Sequence, residues 1–201
     1  MRVVSGKLRG KKLGHFKGFD IRPTTDRVRE ALFNILATRV DMQGARVLDL
    51  FAGTGAVGIE ALSRGAKEVT FVDSDSAAIK IMEKNIKACG FCADSVTVLK
   101  REAVLTVKSL SHRANRFEFI FLDPPYSSSI LGETVREIAQ SGLLALDGVV
   151  VAESAKRAPL VVEGEEAKAG TRIGGLSVDE VRTYGDTLLY LLSAIEGEGT
   201  E

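Results

Sequence analysis

Asp123-Pro124-Pro125-Tyr126 closes the apolar run Phe117-Glu118-Phe119-Ile120-Phe121-Leu122, and these residue types could hold a planar amine. The Asp123 carboxylate and the proline-fixed Pro124 carbonyl offer two acceptors to one NH2 group, and the Tyr126 ring offers a flat face for a base. The chemistry they suit is modification of a nucleobase. The alternative is a rigid strand exit whose ring packs on its own loop.

A second constellation lies at Val47-Leu48-Asp49-Leu50-Phe51-Ala52-Gly53-Thr54-Gly55-Ala56-Val57-Gly58, with full G-x-G-x-x-G spacing after a strand-like run and before a helix-like one. Asp73 ends the next strand-like run, about where a ribose-binding carboxylate sits in dinucleotide-binding folds and S-adenosylmethionine-binding folds alike. The turn alone does not choose between nicotinamide and S-adenosylmethionine. Asp49 does discriminate, because its carboxylate would repel a pyrophosphate and attract the α-ammonium of a methionine moiety. The tetrapeptide at Asp123 has no evident role in hydride transfer, which also favours methyl transfer over a dehydrogenase.

These residues need strands and helices to position them. Apolar periodicity predicts strands near 46–51, 68–73, 95–100, 117–122 and 148–153, with helices near 55–64, 76–89, 103–110 and 131–141 between them. That alternation implies an α/β fold with a parallel sheet covered on both faces. An earlier helix is expected after Thr24, Thr25 and Asp26, with Val28, Leu32, Ile35 and Leu36 at helical spacing. Residues 176–183 and 187–194, joined by Tyr184-Gly185-Asp186, predict an antiparallel hairpin closing the sheet. The expectation is a mostly parallel seven-stranded, Rossmann-like sheet of the class I methyltransferase plan with an antiparallel C-terminal hairpin. Glu163–Gly170 reads as a mobile loop. The domain plan is a basic N-terminal hairpin extension over 1–23, the catalytic domain over 24–195 and a flexible tail over 196–201.

The chain has 201 residues, 45% of them apolar, which suffices for a full core. Its charges sum to zero but are unevenly placed. Residues 1–29 set nine basic side chains (Arg2, Lys7, Arg9, Lys11, Lys12, Lys17, Arg22, Arg27, Arg29) against Asp20 and Asp26, whereas residues 161–201 carry three basic and nine acidic groups. The basic arm could contact phosphates through Arg9, Lys11, Lys12, Arg22, Arg27 and Arg29; the alternative is a solvated basic hairpin. No apolar run reaches membrane-spanning length, and a cytoplasmic monomer is expected. Cys89-Gly90-Phe91-Cys92 has redox or half-zinc spacing, but His15 and His112 supply no matching second pair, so no metal is expected. The pair also follows a helix instead of opening one, with Gly90 suited to its C-terminal cap.

With these residues in place, the chain resembles the bacterial 16S ribosomal RNA guanine-N2 methyltransferases nearly end to end. The resemblance rests on Ser5–Gly10, Arg22–Asn34, Asp49–Gly58, Glu60–Arg64 and Asp123–Tyr126. It implies S-adenosyl-L-methionine as cofactor, with Asp49, Gly53 and Gly55 holding its methionine part, Phe51 among its contacts and Asp73 on the ribose hydroxyls. Many members carry Glu at the Asp73 position, so the shorter side chain here would bind one hydroxyl less closely. Glu102 lies where related enzymes place Asp or Asn against the adenine amine, although a charge at a helix N-terminus explains it equally well. The implied partner is 16S ribosomal RNA or the small ribosomal subunit. Competing expectations are an adenine-N6 methyltransferase acting on DNA or RNA, since the same tetrapeptide would hold either amine, and a non-catalytic ribosome-assembly module.

Overall fold

A computed structural model describes residues 1–15, 26–112, 116–125 and 128–195. By internal contacts the chain forms two units, Met1–Ala103 and Val104–Glu201.

The first unit carries α1 (Asp26–Leu36), β1 (Arg46–Leu50), α2 (Ala56–Ser63), β2 (Glu68–Asp73), α3 (Ser76–Cys89) and β3 (Val96–Lys100). Its strands lie in the order β3-β2-β1 and pair in parallel, with Arg46 opposite Glu68 and Val69 opposite Val96. Val47, Leu48, Leu50, Phe71 and Val72 are completely buried, as expected of a parallel sheet covered on both faces. All eight residues of α2 are buried. The close approach of α2 to β2 requires Gly58, where an added Cβ would lie 2.2 Å from the Phe71 ring. On α1 the buried face contains Phe33 where Ile35 was expected, and it includes Arg29.

The N-terminal hairpin is looser than two strands. Arg2 and Lys12 form a lone antiparallel bridge, and a 3-10 turn at Gly6–Leu8 separates the two legs. Val3 N–H donates to the Lys11 carbonyl at 2.9 Å and Gly10 N–H to the Val3 carbonyl at 2.9 Å.

The second unit carries α4 (Ala103–Ser111, beginning at the unit boundary), β4 (Phe117–Leu122), α5 (Ser128–Ser141), β5 (Leu144–Ala155), β6 (Val161–Val162), β7 (Glu165–Glu166), β8 (Arg172–Ile173), β9 (Leu176–Tyr184) and β10 (Thr187–Ala194). The sheet strands run β4-β5-β10-β9-β8, with β4 and β5 parallel and β10 antiparallel to both of its neighbours. All seven expected strands are present, and β8 adds a two-residue extension beside β9. β5 starts earlier than expected, because its residues between Leu144 and Val149 bulge out of register with β4.

Glu163–Gly170, expected as a mobile loop, begins instead with an ordered hairpin. β6 and β7 pair around a turn with φ of 53° at Glu163 and 86° at Gly164, the two positive values that a primed two-residue turn needs. The tail over 196–201 lies outside the described residues. Among the described residues, no helix is long and apolar enough to cross a membrane.

Candidate active site

The glycine-rich turn is fixed by side chains arriving from three directions. Asp49, near the end of β1, is 1% exposed, and its Oδ2 accepts the Gly58 N–H at 2.9 Å. Gly58 is the third residue of α2, so a carboxylate from the strand caps one of the helix's otherwise unpaired first-turn N–H groups. Asp73, ending β2, accepts the Gly53 N–H on Oδ2 at 2.8 Å and the Asp75 N–H on Oδ1 at 2.9 Å. From α3, Asn85 donates its Nδ2–H to the Thr54 carbonyl at 2.9 Å.

The glycines divide the work. Gly53, with φ of 55°, has only the Phe51 carbonyl, at 3.9 Å, near the position of an added Cβ, so this face of the turn is open among the described atoms. Gly55, with φ of 76°, faces the interior, where a Cβ would come within 2.9 Å of Met82. Its N–H donates to the Ala52 carbonyl and its carbonyl accepts the Ile59 N–H. Gly55 therefore shapes the turn, while Gly53 presents it. Phe51 holds φ of 59°, the left-handed region that costs a non-glycine residue about 1–3 kcal/mol. Glu102 is exposed immediately before α4.

This donor set suits a cationic, hydroxyl-bearing ligand better than a diphosphate. The positive end of α2 already faces a carboxylate at Asp49, and the Gly53 and Gly55 N–H groups point to acceptors within the protein. A phosphate-binding turn presents those N–H groups outward, with no buried anion beneath them.

In the second unit, Asp123 follows β4 half-buried, Pro124 is buried and Pro125 is exposed. Tyr126 and Arg22, both named as site candidates, lie outside the described residues.

On the basic arm, Arg9, Lys11, Lys12 and Arg27 are exposed. Arg29 requires correction. Its side chain is fully buried, paired with Asp26 at 2.9 Å and Glu60 at 3.8 Å, and its NH2 group donates to the Arg2 carbonyl. A guanidinium so enclosed is not open to a phosphate, and Arg29 instead anchors the N-terminal residues.

Two residues were missed in the sequence. Glu60, fully buried, accepts the Val4 N–H at 2.7 Å, the Ser5 N–H at 2.9 Å and Arg64 Nε–H at 2.9 Å. Asn85 joins Gly14 as well as Thr54. Each left a signal. Glu60 interrupts the apolar helix Ala56–Leu62, and Asn85 falls on the same stripe as Ala78 and Met82.

A cleft of about 480 Å³ lies where Phe33 and Arg64 meet the chain after α1, and none of the expected site residues lines it. Gly90, with φ of 73°, caps α3 as expected, and Cys89 and Cys92 are free thiols.

Comparison with known proteins gives this geometry a class. The hypothetical protein TTHA0928 of Thermus thermophilus superposes with a TM-score of 0.77 at 29% identity, over 96% of this chain and 99% of that one. SMU.776, a structure complexed with SAH, superposes with a TM-score of 0.64 over 83% of this chain and 48% of its own, and at 15% identity that likeness concerns the fold alone. The fold is that of the class I, Rossmann-like methyltransferases, the class whose cofactor is S-adenosyl-L-methionine.

The sequence comparisons narrow this further. The family described as Conserved hypothetical protein 95 matches residues 1–179. YlbH of Bacillus subtilis (strain 168) is 37% identical over 187 residues, covering 93% of this chain and 95% of YlbH. Ribosomal RNA small subunit methyltransferase D of Escherichia coli (strain K12) is 36% identical over 154 residues, covering 77% of this chain and 74% of that protein. The chain belongs to this family, the bacterial 16S ribosomal RNA methyltransferases.

Proposed function

We propose that the protein transfers a methyl group from S-adenosyl-L-methionine to the exocyclic N2 amine of a guanine in 16S ribosomal RNA, acting in the cytoplasm as a monomer. The observation that carries this reading is the buried Asp49 carboxylate at the N-terminus of α2, which disfavours a diphosphate there and favours an ammonium. A carboxylate has about four acceptor positions, so Asp49 can hold the Gly58 N–H and a ligand's α-ammonium together. Asp73 likewise retains a lone pair on each oxygen for ribose hydroxyls beyond its bonds to Gly53 and Asp75. Phe51 and the open side of Gly53 contribute surface to the ligand, Gly55 sets the turn, and Glu102 meets the adenine amine.

When bound, the cofactor supplies an electrophilic methyl group on a sulfonium. The guanine N2 lone pair is delocalised into the ring and weakly nucleophilic, so the protein's task is positioning. The Asp123 carboxylate and the Pro124 carbonyl each accept one N–H, which orients the nitrogen and concentrates its lone pair away from the ring. Asp123, or a water beside it, receives the proton released after transfer. Tyr126 stacks on the extruded base, contributing about 1–3 kcal/mol by the usual scale of base–aromatic stacking. Arg9, Lys11, Lys12, Arg22 and Arg27 contact phosphates.

The test is transfer of labelled methyl to unmodified small subunits, free 16S RNA and duplex DNA, followed by nucleoside identification. N2-methylguanosine confined to the ribosomal substrates is expected. N6-methyladenine would overturn the base assignment, and cofactor binding without transfer to any substrate would overturn the catalytic reading.

A further inference from the structure

Asn85 makes three hydrogen bonds to two segments that are far apart in sequence. Its Nδ2 donates to the Thr54 carbonyl at 2.9 Å and to the Gly14 carbonyl at 3.1 Å, and its Oδ1 accepts the Gly14 N–H at 2.7 Å. The side chain is 4% exposed, so water does not readily replace these partners. Both amide hydrogens are engaged, one on each segment. Thr54 sits between Gly53 and Gly55 at the tip of the turn, and Gly14 stands two residues beyond the exposed Lys12. The fit at Gly14 is close, since an added Cβ would lie 3.2 Å from Asn85 Oδ1.

One rigid amide thus ties the backbone of the basic arm to the backbone of the glycine turn. A weaker side-chain contact, from Thr54 Oγ1 to Met1 Sδ at 3.8 Å, also joins arm and turn, while other anchors of the arm avoid the turn, on α1 at Asp26 and Arg29 and on α2 at Glu60 and Ser63. Ser63 Oγ accepts the Leu8 N–H at 2.9 Å and donates to the Ser5 carbonyl at 2.6 Å without touching the turn.

We infer that Asn85 is a positioning residue that couples cofactor binding at the glycine turn to RNA binding by the N-terminal arm. This rests on the function proposed above. A ligand that orders the turn holds the Thr54 carbonyl, which fixes the Asn85 amide and favours the docked position of Gly14. RNA held by Arg9, Lys11 and Lys12 favours the same arrangement from the other side. By linkage, each ligand then raises affinity for the other by the same factor, expected at about five- to tenfold, the low end of measured couplings. Asn85 touches neither reacting atom.

The experiment measures the dissociation constant of S-adenosylhomocysteine on the full chain, by calorimetry, with and without saturating unmodified 16S RNA. It compares the wild type with Asn85→Ala, Asn85→Asp and Ser63→Ala, each with its thermal midpoint recorded. Asn85→Asp is nearly isosteric, but it loses both donors and sets a carboxylate against two carbonyls. The expected ratio of constants is about five to ten in the wild type and in Ser63→Ala, and near one in both Asn85 variants. A general loss of stability would not separate Asn85 from Ser63 in this way.

A wild-type ratio near one, or an unchanged ratio in either folded Asn85 variant, overturns the inference. If Asn85→Ala does not fold, Asn85→Asp decides; if neither folds, Asn85 serves stability alone and the inference fails. Absence of S-adenosylhomocysteine binding in the wild type, or of binding to both free 16S RNA and small subunits, would instead sink the proposed function, and where only the subunit binds it replaces the free RNA in the measurement, so the two failures are distinguishable.

Discussion

The two units each place an aspartate at the C-terminal end of a parallel strand, and they treat it differently. In the first unit Asp49 is buried and bonded to Gly58, and the unit's other buried polar side chains include Glu60, Asn85, Arg29, Ser63 and Thr70. In the second unit Asp123 is half-buried, followed by buried Pro124 and exposed Pro125, and the buried polar side chains among the described residues include Thr106, Thr134 and Glu153. The first unit therefore fixes its loops with polar contacts that are costly to break, which suits the cofactor site proposed there. The second is held mainly by apolar strand register, with the buried Tyr190 hydroxyl accepting the Leu160 N–H, and carries its aspartate after β4 on a loop, which suits the substrate role proposed for it.

The contrast breaks most severely at Glu60. Glu60→Ala leaves the buried Arg29 guanidinium without that carboxylate and the Val4 and Ser5 N–H groups without their acceptor. The expected loss is about 3–5 kcal/mol in a denaturant titration, with residues 1–15 becoming the first site of limited proteolysis. A loss below about 1 kcal/mol would show that the arm is not anchored through this charge.

Next in size is Asp123→Ala, the corresponding change in the second unit. Turnover should fall by about two to three orders of magnitude while the cofactor dissociation constant stays near the wild-type value. Single-turnover methyl transfer and calorimetry on the same preparation check both halves. Near-normal turnover would remove Asp123 from its amine-acceptor role.

Much of this architecture was legible in the sequence. The seven strands fell near where apolar periodicity put them, most plainly where a strand buries a continuous run such as Phe119–Leu122 or Val47–Leu50. Gly90 ended α3 because a left-handed cap suits glycine. What escaped depended on contacts between residues remote in sequence. Arg29 looked like one more cation of a basic arm, and only the packing of α1 with α2 exposes its pairing with Glu60. Asn85 looked like an ordinary helix residue, since its partners lie 31 and 71 positions away. The β6–β7 hairpin was hidden by its brevity and by the three glutamates around its turn.

Asp49→Ala sharpens the difference within the first unit. It leaves the buried Gly58 N–H without this acceptor, at a cost of about 1–3 kcal/mol, and removes the counter-charge for an α-ammonium. Thermal melts should show the first effect without ligand, and the midpoint shift produced by S-adenosylmethionine should shrink as well. If the variant melts early but keeps the full ligand-induced shift, Asp49 is a helix cap and nothing more.

The smallest effect concerns the thiols after α3. Burial raises the Cys89 pKa above the ordinary thiol value, and nearby Lys11 offsets part of that rise, while Cys92 is exposed. A raised pKa means less thiolate at a given pH, so near pH 8 Cys92 should alkylate faster than Cys89. Lys11→Glu removes the offset and should slow Cys89 further, leaving Cys92 nearly unchanged. Peptide mapping after brief iodoacetamide treatment reads both sites at once. Since the Cys89 response depends on Lys11 being held beside α3, an unchanged Cys89 rate in Lys11→Glu would mean that the arm does not rest there in solution, and the first unit would lose part of the rigidity that distinguishes it from the second.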